Sequence, residues 1–355
     1  VILSVAAIGV MVGVMTSSGM MDVARSGVFY PDKFTYQEIM ILFLGMMLSN
    51  IILLDIYNSL GLPTSTTVSL VFGLLGSAMA LALYNIWSGT TTASLGEFIN
   101  SGNALAIVSG ILLSVVLAFL SGHLLMYISR IIFSFRYSKV FNRFGALWCG
   151  ITLAGIIYFT VFKGLKSTSL IPDVLKDYVN ENTGMALLIL WLGSSLLLWV
   201  LQRCKVNILR VSILAGTFSL ALAFAGNDLV NFIGVPLAGL ESFMDWKNAG
   251  AGDPSAHMMG VLNGEARTPF IFLFAAGVIM VVSLATSKKA HNVTKTEINL
   301  AKQDEGEEMF GSSRVARSMV RWANSTANFL VKHTPESVRS WIDRRFDNTE
   351  IEKET

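Results

Sequence analysis

The chain has 355 residues, of which 53% are hydrophobic and 14% are charged, and its formal net charge is +2. Because soluble domains average about 25% charged residues, this composition excludes an ordinary soluble domain and indicates a membrane protein. The near-neutral charge excludes the basic surface of a nucleic-acid-binding protein. The two cysteines are too few for a disulfide framework or a cysteine-bound metal cluster.

Apolar runs recur along the first 286 residues. A helix needs about 20 apolar residues to cross the ~30 Å hydrocarbon layer. Runs near that length lie at 1–20, 37–60, 64–86, 105–133, 145–164, 184–201, 211–240 and 268–286. The sequence therefore predicts an all-α, multi-pass protein of the cell membrane, with the lipid bilayer as its surroundings.

The second and third runs flank a break at Gly61-Leu62-Pro63. The polar stretch Thr64–Thr67 that follows favours a re-entrant hairpin over 37–86, whereas arms of more than 20 residues favour two full spans. Both alternatives return the chain to the same side of the membrane. We adopt the hairpin as the interpretation.

Basic residues orient the runs, because short cytoplasmic loops are enriched in Lys and Arg. Such residues cluster at 130–143, at 203–210 and at Lys288-Lys289, and we place these positions inside. The segment 87–104 contains neither Lys nor Arg and is placed outside. Because successive spans return the chain to alternate sides of the membrane, the two remaining long loops are placed outside as well.

Three runs separate the region around Pro63 from the run that carries Asp228. An odd number of spans inverts one half relative to the other, as in transporters with inverted-topology repeats and broken helices. The predicted segments are the end of a first repeat at 1–104, connecting transmembrane helices at 105–210, the start of a second repeat at 211–286, and a cytosolic helical insertion or tail at 287–355.

The tail holds 12 of the 26 Lys and Arg residues and 11 of the 24 Asp and Glu residues. After a solvated acidic stretch at 303–308, apolar residues recur at helical spacing on both sides of Pro335, with Arg314, Arg317 and Arg321 on the opposite face of the first segment. This pattern predicts two amphipathic helices. They are interpreted either as a small cytosolic helical hairpin or as helices lying on anionic lipid.

Asp228 is a carboxylate inside an apolar run, with the amides Asn227 and Asn231 beside it and the glycines Gly226 and Gly234 around it. Burying the charge costs at least ~2.5 kcal/mol, so the carboxylate needs a partner, a cation or a proton. The glycines would let the helix unwind and expose carbonyls. Together these oxygens form a hard site suited to an alkali cation. The alternative is that Asp228 pairs with another span and fixes helix packing.

Asp55 is the other carboxylate that the sequence places deep within an apolar run. It lies near Asn58 and Ser59, shortly before the break at Pro63. A structural or capping role and a ligand role both remain open for it.

A second polar motif is Pro63-Thr64-Ser65-Thr66-Thr67. Pro63 fits the first turn of a helix, where the missing N–H has no cost. The hydroxyls would then surround backbone N–H groups at the positive end of the helix dipole, which binds anions such as phosphate without Lys or Arg. The alternative is that the hydroxyls bond to their own backbone.

The sequence contains no enzyme motif. The four histidines lack metal-ligand spacing, and neither a Gly-x-Ser-x-Gly elbow nor a phosphate loop is present. We expect that the protein is not an enzyme and has no organic cofactor.

The two polar motifs resemble those of the inorganic phosphate transporter (PiT) family. Ala225–Asn231 is similar to that family's Asn-Asp motif, and Pro63–Thr67 is similar to its Pro-x-Ser-Thr-Thr motif. The resemblance covers residues 1–286 and agrees in order, spacing and membrane context.

The resemblance implies symport of inorganic phosphate with sodium, or with protons in some members, by an inverted-repeat carrier. Asp228, Asn231 and Asn227 would contribute to ion and phosphate binding, while Ser65, Thr66 and Thr67 would hold phosphate oxygens and sodium. Asp228, Asn231 and Thr66 are the candidate sodium ligands. A channel or carrier for a related oxyanion such as sulfate is the alternative. The oligomeric state stays open, with a homodimer as one option.

Two departures from the family pattern matter. Val68 stands where the family often has His. The chain has one copy of each motif, which suggests a fragment whose missing copies would lie before Val1 and after Thr355. We therefore expect that this chain alone does not transport phosphate, and sodium-dependent uptake by liposomes that contain only this chain would refute that expectation.

Overall fold

The computed structural model describes residues 1–16, 27–134, 137–164, 172–264, 269–301, 314–333 and 335–346. Within this part of the chain the secondary structure is helical apart from two isolated β-bridges, which pair Phe29 with Ile99 and Thr35 with Met258. The prediction of an all-α fold is confirmed.

Fourteen α-helices are present among the described residues, and each predicted apolar run contains at least one of them. They are α1 (Ile2–Thr16), α2 (Tyr36–Ser59), α3 (Thr66–Trp87), α4 (Leu95–Phe98), α5 (Ser101–Phe133), α6 (Ser138–Ile157), α7 (Asp173–Glu181), α8 (Thr183–Arg203), α9 (Ile208–Phe224), α10 (Val230–Asn248), α11 (Phe270–Thr286), α12 (Lys288–Ala301), α13 (Arg314–His333) and α14 (Glu336–Phe346). Two π-helical segments, Tyr158–Gly164 and Ala225–Leu229, continue α6 and α9.

Five helical segments in the described part of the chain are long and apolar enough to cross a membrane. They are α2, α3, α5, α8, and α6 together with its π-helical continuation. A sixth is reached if α11 and α12, which meet at a bend of 71°, form one broken span. The protein is therefore a multi-pass membrane protein. Both arms of the 37–86 segment pass the length test, and its re-entrant interpretation stays a prediction.

The chain forms two compact units. Unit 1 contains Val1–Leu112 and Ala146–Ile298, and unit 2 contains Leu113–Gly145 and Asn299–Thr355. The four-segment division derived from the sequence stays a prediction.

Unit 1 has two buried apolar clusters. The larger lies where α2, α3 and α10 pack together, and it includes Met46, Leu74 and Val235. The smaller lies where α1 packs against α9 and α11, with Val14 and Leu273 at its centre. Helix α10 contributes to both clusters, through Val235 to the larger and Val230 to the smaller.

Loops form a structured cap over one end of the α2–α3 pair. The backbone N–H of Tyr36 donates to the carbonyl of His257 at 2.7 Å, and the N–H of Met259 donates to the carbonyl of Phe34 at 3.1 Å. The Tyr36 ring stacks on Trp246 at the end of α10, with ring centroids 5.0 Å apart. The first of these contacts satisfies the Tyr36 N–H at the start of α2, which has no partner within the helix.

Three helices were not predicted. Short α4 begins with a capping box formed by Ser94 and Glu97, a sequence pattern that could have located it. Helices α7 and α12 are more polar than the spans, so a search for long apolar runs misses them.

In unit 2, the structure confirms the two amphipathic helices predicted for the tail as α13 and α14, the latter beginning directly after Pro335. The acidic stretch 303–308 lies outside the described residues.

Candidate functional site

The Asn-Asp motif lies on a π-helical turn. The backbone is helical without interruption from Ile208 to Asn248, but Ala225–Leu229 forms a π-helix between α9 and α10. Such single π turns inside α-helices occur frequently at functional sites. The helix therefore widens at this motif, whereas the sequence predicted that it would unwind. Gly234 lies buried within regular α10.

Apolar helices enclose this π turn. Val10 and Val14 of α1, Ala225 and Val230 at the ends of the turn, and Leu273 of α11 form one buried cluster. The backbone of Asn227, Asp228 and Asn231 follows the turn and the start of α10. The side chains of these three residues lie outside the described part of the structure, so their assignment as ligands stays a prediction.

Glycines bring α1 unusually close to the helix that leads into the turn. A Cβ atom added to Gly13 would lie 2.3 Å from the carbonyl oxygen of Leu222, and one added to Gly9 would lie 2.6 Å from the carbonyl oxygen of Phe218. The two glycines are four residues apart and so face the same side of α1. This spacing is the small-residue pattern by which membrane helices pack at short distance.

The hydroxyl motif lies at the N-terminus of α3. Ser65 is the N-cap, and its hydroxyl oxygen accepts a hydrogen bond from the backbone N–H of Val68 at 3.3 Å. Thr66 and Thr67 occupy the first two helical positions. The structure thus confirms that the hydroxyls gather at a positive helix end. The placement of Pro63 in the first turn is wrong, because the helix begins three residues later with Ser65 as a better cap.

A buried polar pair lies one turn further along α3 and was not identified from the sequence. Ser69 donates its hydroxyl hydrogen to the side-chain oxygen of Asn50 in α2. Asn50 is 2% exposed and Ser69 is 8% exposed. Ser69 is three residues after Thr66 and so shares its face of the helix. An amide within the 37–60 run was the available signal, since polar groups at membrane depth are costly and usually functional.

Asp55 has a structural role that the sequence left open. Its carboxylate forms an ion pair with the ammonium group of Lys289 in α12, and its side chain is 63% exposed. Asp55 lies in the last turns of α2, which ends at Ser59, and so near the end of its apolar run. The nearby turn also meets α12: a Cβ atom on Gly61 would lie 3.2 Å from the Thr296 hydroxyl.

The helices that carry the two motifs are neighbours, since α10 packs against both α2 and α3. Ser65, Thr66 and Thr67 lie together at one helix end, and the three residues of the Asn-Asp motif lie together on one stretch of helix. Direct contact between the two groups stays a prediction. The described residues contain no cluster of three or more His, Cys, Asp or Glu side chains that could hold a metal ion.

A multi-pass helical fold with a polar motif on a distorted apolar helix is typical of a membrane transporter. The chain belongs to the phosphate transporter family, whose model matches residues 1–296 and so contains both motifs. The protein is therefore a transporter and not an enzyme.

One similar solved structure is described as "The sodium-dependent phosphate transporter", with 17% sequence identity and a TM-score of 0.56. The match covers 83% of this chain and 67% of that chain, and it supports the fold. Comparison with curated proteins gives no significant match.

Proposed function

We propose that this protein carries inorganic phosphate by secondary active symport with sodium, with the proton as the alternative coupling ion. The observation that carries the proposal is that the phosphate transporter family match spans both polar motifs. The similar solved structure, whose title names sodium dependence, supports sodium as the first coupling ion to test.

Phosphate binds at the N-terminus of α3 in this proposal. The hydroxyl oxygen of Ser65 accepts the hydrogen bond of the Val68 N–H, and the half-buried Thr66 and Thr67 are the first two residues at the positive end of the helix. Backbone N–H groups and hydroxyls there supply donors to phosphate oxygens, and the helix dipole favours the negative charge. No Lys or Arg lies within this motif, so release does not require breaking a strong ion pair.

Sodium binds at the Asn-Asp motif in this proposal. The carboxylate of Asp228 and the amide oxygens of Asn227 and Asn231 are hard ligands of the kind that alkali cations prefer. The hydroxyl of Thr66 would complete the coordination on the side of α3. Because α3 and α10 pack together, a cation between them reduces the cost of burying both the carboxylate and the phosphate.

Alternating access then follows from motion of one repeat against the other around this site. In this proposal α1 belongs to the first repeat and α9 to the second. Their close glycine-mediated contact, at Gly9 and Gly13, lies beside the π turn. Movement of α1 against α9 at this contact would therefore displace the sodium site directly.

The test is sodium-dependent uptake of labelled phosphate by cells that express the full-length protein. Asp228→Asn should abolish uptake while membrane insertion is retained, because the neutral amide cannot balance the cation. Asp55→Asn is the matched control: it removes the same charge from an exposed ion pair and should retain most of the uptake. Normal uptake by Asp228→Asn would reject the proposed site.

The substrate is tested by competition. Excess unlabelled phosphate should suppress uptake and equimolar sulfate should not. Sulfate that competes as well as phosphate would favour the alternative of a general oxyanion carrier, and uptake that never exceeds the external concentration would favour a channel.

A further inference from the structure

Helix α14 is docked onto the last turns of α5 within unit 2. The rings of Tyr127 and Phe346 stack with centroids 5.4 Å apart. The hydroxyl of Ser134, just after α5, donates to the backbone carbonyl of Arg345 at 3.2 Å. The C-terminal end of α14 is therefore held at a defined height along α5.

That height is where the apolar stretch of α5 reaches its charged residue. Arg130 is the single charged residue in the sequence of α5, and apolar side chains such as Phe119, which is 72% exposed, precede it. A membrane span ends where its first charged residue reaches the headgroups. Tyr127 lies about one helical turn before Arg130 and Ser134 lies about one turn after it. The two contacts to α14 therefore bracket the level of the lipid headgroups.

The surface of α14 has the pattern of a helix that lies in this layer. At 3.6 residues per turn, Val338, Trp341, Ile342 and Phe346 share one face. Val338 remains 44% exposed and Trp341 remains 42% exposed. Phe346 itself remains 38% exposed despite its contact with Tyr127, so the docking leaves this apolar face accessible to the acyl chains.

Two arginines flank this apolar face and a third, Arg345, lies within it. On the helical projection, Arg339 and Arg344 lie on its two sides, and the guanidinium of Arg345 lies over the Trp341 ring at 5.4 Å from the ring centroid. Long basic side chains at the edges of an apolar face can extend toward phosphate groups while their stems contact lipid. Arg339 has one acidic neighbour, Asp343, at 4.0 Å, with both side chains largely exposed, so this pair leaves the positive charge accessible.

Further positive charge lies nearby in unit 2. Arg130 of α5 and Lys139 and Arg143 of α6 belong to the same compact unit, and their segment is placed inside by the distribution of basic residues. Positive charge at headgroup level attracts the anionic lipids of the cytoplasmic leaflet. A soluble helical hairpin does not require arginines around an exposed Trp at this level of α5, whereas a helix on anionic lipid does.

We propose that α14 is an interfacial helix that inserts Val338 and Trp341 among the acyl chains and binds anionic phospholipid headgroups through Arg339, Arg344 and Arg345. The inference concerns residues beyond the matched family region and does not depend on the transported substrate. It selects one of the two interpretations that the sequence left open for the tail.

The test places an environment-sensitive fluorophore on each face of the helix. The full chain is reconstituted in a Cys204→Ser background, in which Cys149 is buried. Val338→Cys puts the label on the apolar face, and Ser340→Cys puts it on the polar face as the matched control. Vesicles contain either phosphatidylcholine alone or phosphatidylcholine mixed with phosphatidylglycerol.

The label at Val338 should be quenched by a lipid-borne nitroxide and shielded from aqueous iodide, most strongly in the vesicles with phosphatidylglycerol. The label at Ser340 should show the opposite preference. Arg339→Gln with Arg344→Gln should shift the equilibrium toward the released helix by about 30-fold in the anionic vesicles, since each arginine at the surface contributes about fivefold.

Three results would overturn the proposal. One is equal quenching of the two labels by the nitroxide, as expected for a helix in solution. Another is a Val338 label shielded from both quenchers, as expected for a helix packed on protein. The third is quenching of the Val338 label that is the same with and without phosphatidylglycerol and is unchanged by the arginine substitutions.

Discussion

Gly13→Ala tests the contact between α1 and α9 that supports the π turn. The added Cβ would lie 2.3 Å from the carbonyl oxygen of Leu222 and 3.0 Å from two further backbone atoms of that residue. Because backbone cannot rotate away as a side chain can, the two helices must separate. Leu222 lies three residues before the π turn begins at Ala225, so the displacement reaches the Asn-Asp motif.

The magnitude follows from two opposing effects. Overpacking of a well-packed core costs about 1–3 kcal/mol. Replacing Gly by Ala within a helix contributes about 0.8–1 kcal/mol in the other direction. We therefore expect a net loss of about 1–2 kcal/mol, since a clash with backbone belongs at the upper end of the overpacking range.

Gly76→Ala is the matched control, because a Cβ atom at that position in α3 meets nothing within 4 Å. Thermal unfolding of the purified protein in detergent should show a lower midpoint for Gly13→Ala and an unchanged or higher one for Gly76→Ala. Phosphate uptake should fall for the first variant only. If both variants unfold at the same temperature and transport equally, the close contact between α1 and α9 is refuted.

Three further predictions concern individual side-chain contacts of the fold. Lys289→Glu should lower the thermal midpoint slightly and the double variant with Asp55→Lys should restore it, with a coupling energy under about 1 kcal/mol in a double-mutant cycle because both side chains are largely exposed. Ser69→Ala should cost about 1–3 kcal/mol in thermal unfolding, since it leaves the buried oxygen of Asn50 without its donor; an unchanged midpoint would contradict the pairing. Hydrogen bonds from the N-cap of α4 hold the pKa of Glu97 below its ordinary value of 4.5, so their stabilisation is complete above that pH and is lost as the pH falls through the lowered pKa. Amide exchange in α4 should therefore accelerate at acidic pH relative to Glu97→Gln, and equal profiles for the two proteins would contradict it.

The membrane helices could be predicted because one physical requirement dominates them. Spanning the hydrocarbon layer demands a long apolar run, and every such run in the sequence contains a helix in the structure. Helix α12 was not predicted because its charged residues interrupt the apolar pattern. It nevertheless supplies Lys289, the ion-pair partner of Asp55. A tertiary contact between residues more than 200 positions apart leaves no local pattern.

The candidate site could be located from the sequence but its local geometry could not. Gly226 and Pro63 indicate where regular α-helix is interrupted, but they do not determine which backbone conformation forms there. At Gly226 the helix widens into a π turn, and residues of α1 and α11 pack around that turn. At Pro63 the competing preference of Ser65 for the N-cap position sets where α3 begins.

The most direct test of the central claim is protection of the N-terminus of α3 by phosphate. Thr64→Cys in a Cys204→Ser background places a thiol next to the hydroxyl motif without altering Ser65, Thr66 or Thr67, and Ser88→Cys at the far end of α3 is the control. In the full-length protein with sodium present, phosphate should slow maleimide labelling at position 64 and leave position 88 unchanged. Labelling at position 64 that proceeds at the same rate with and without phosphate would contradict the account.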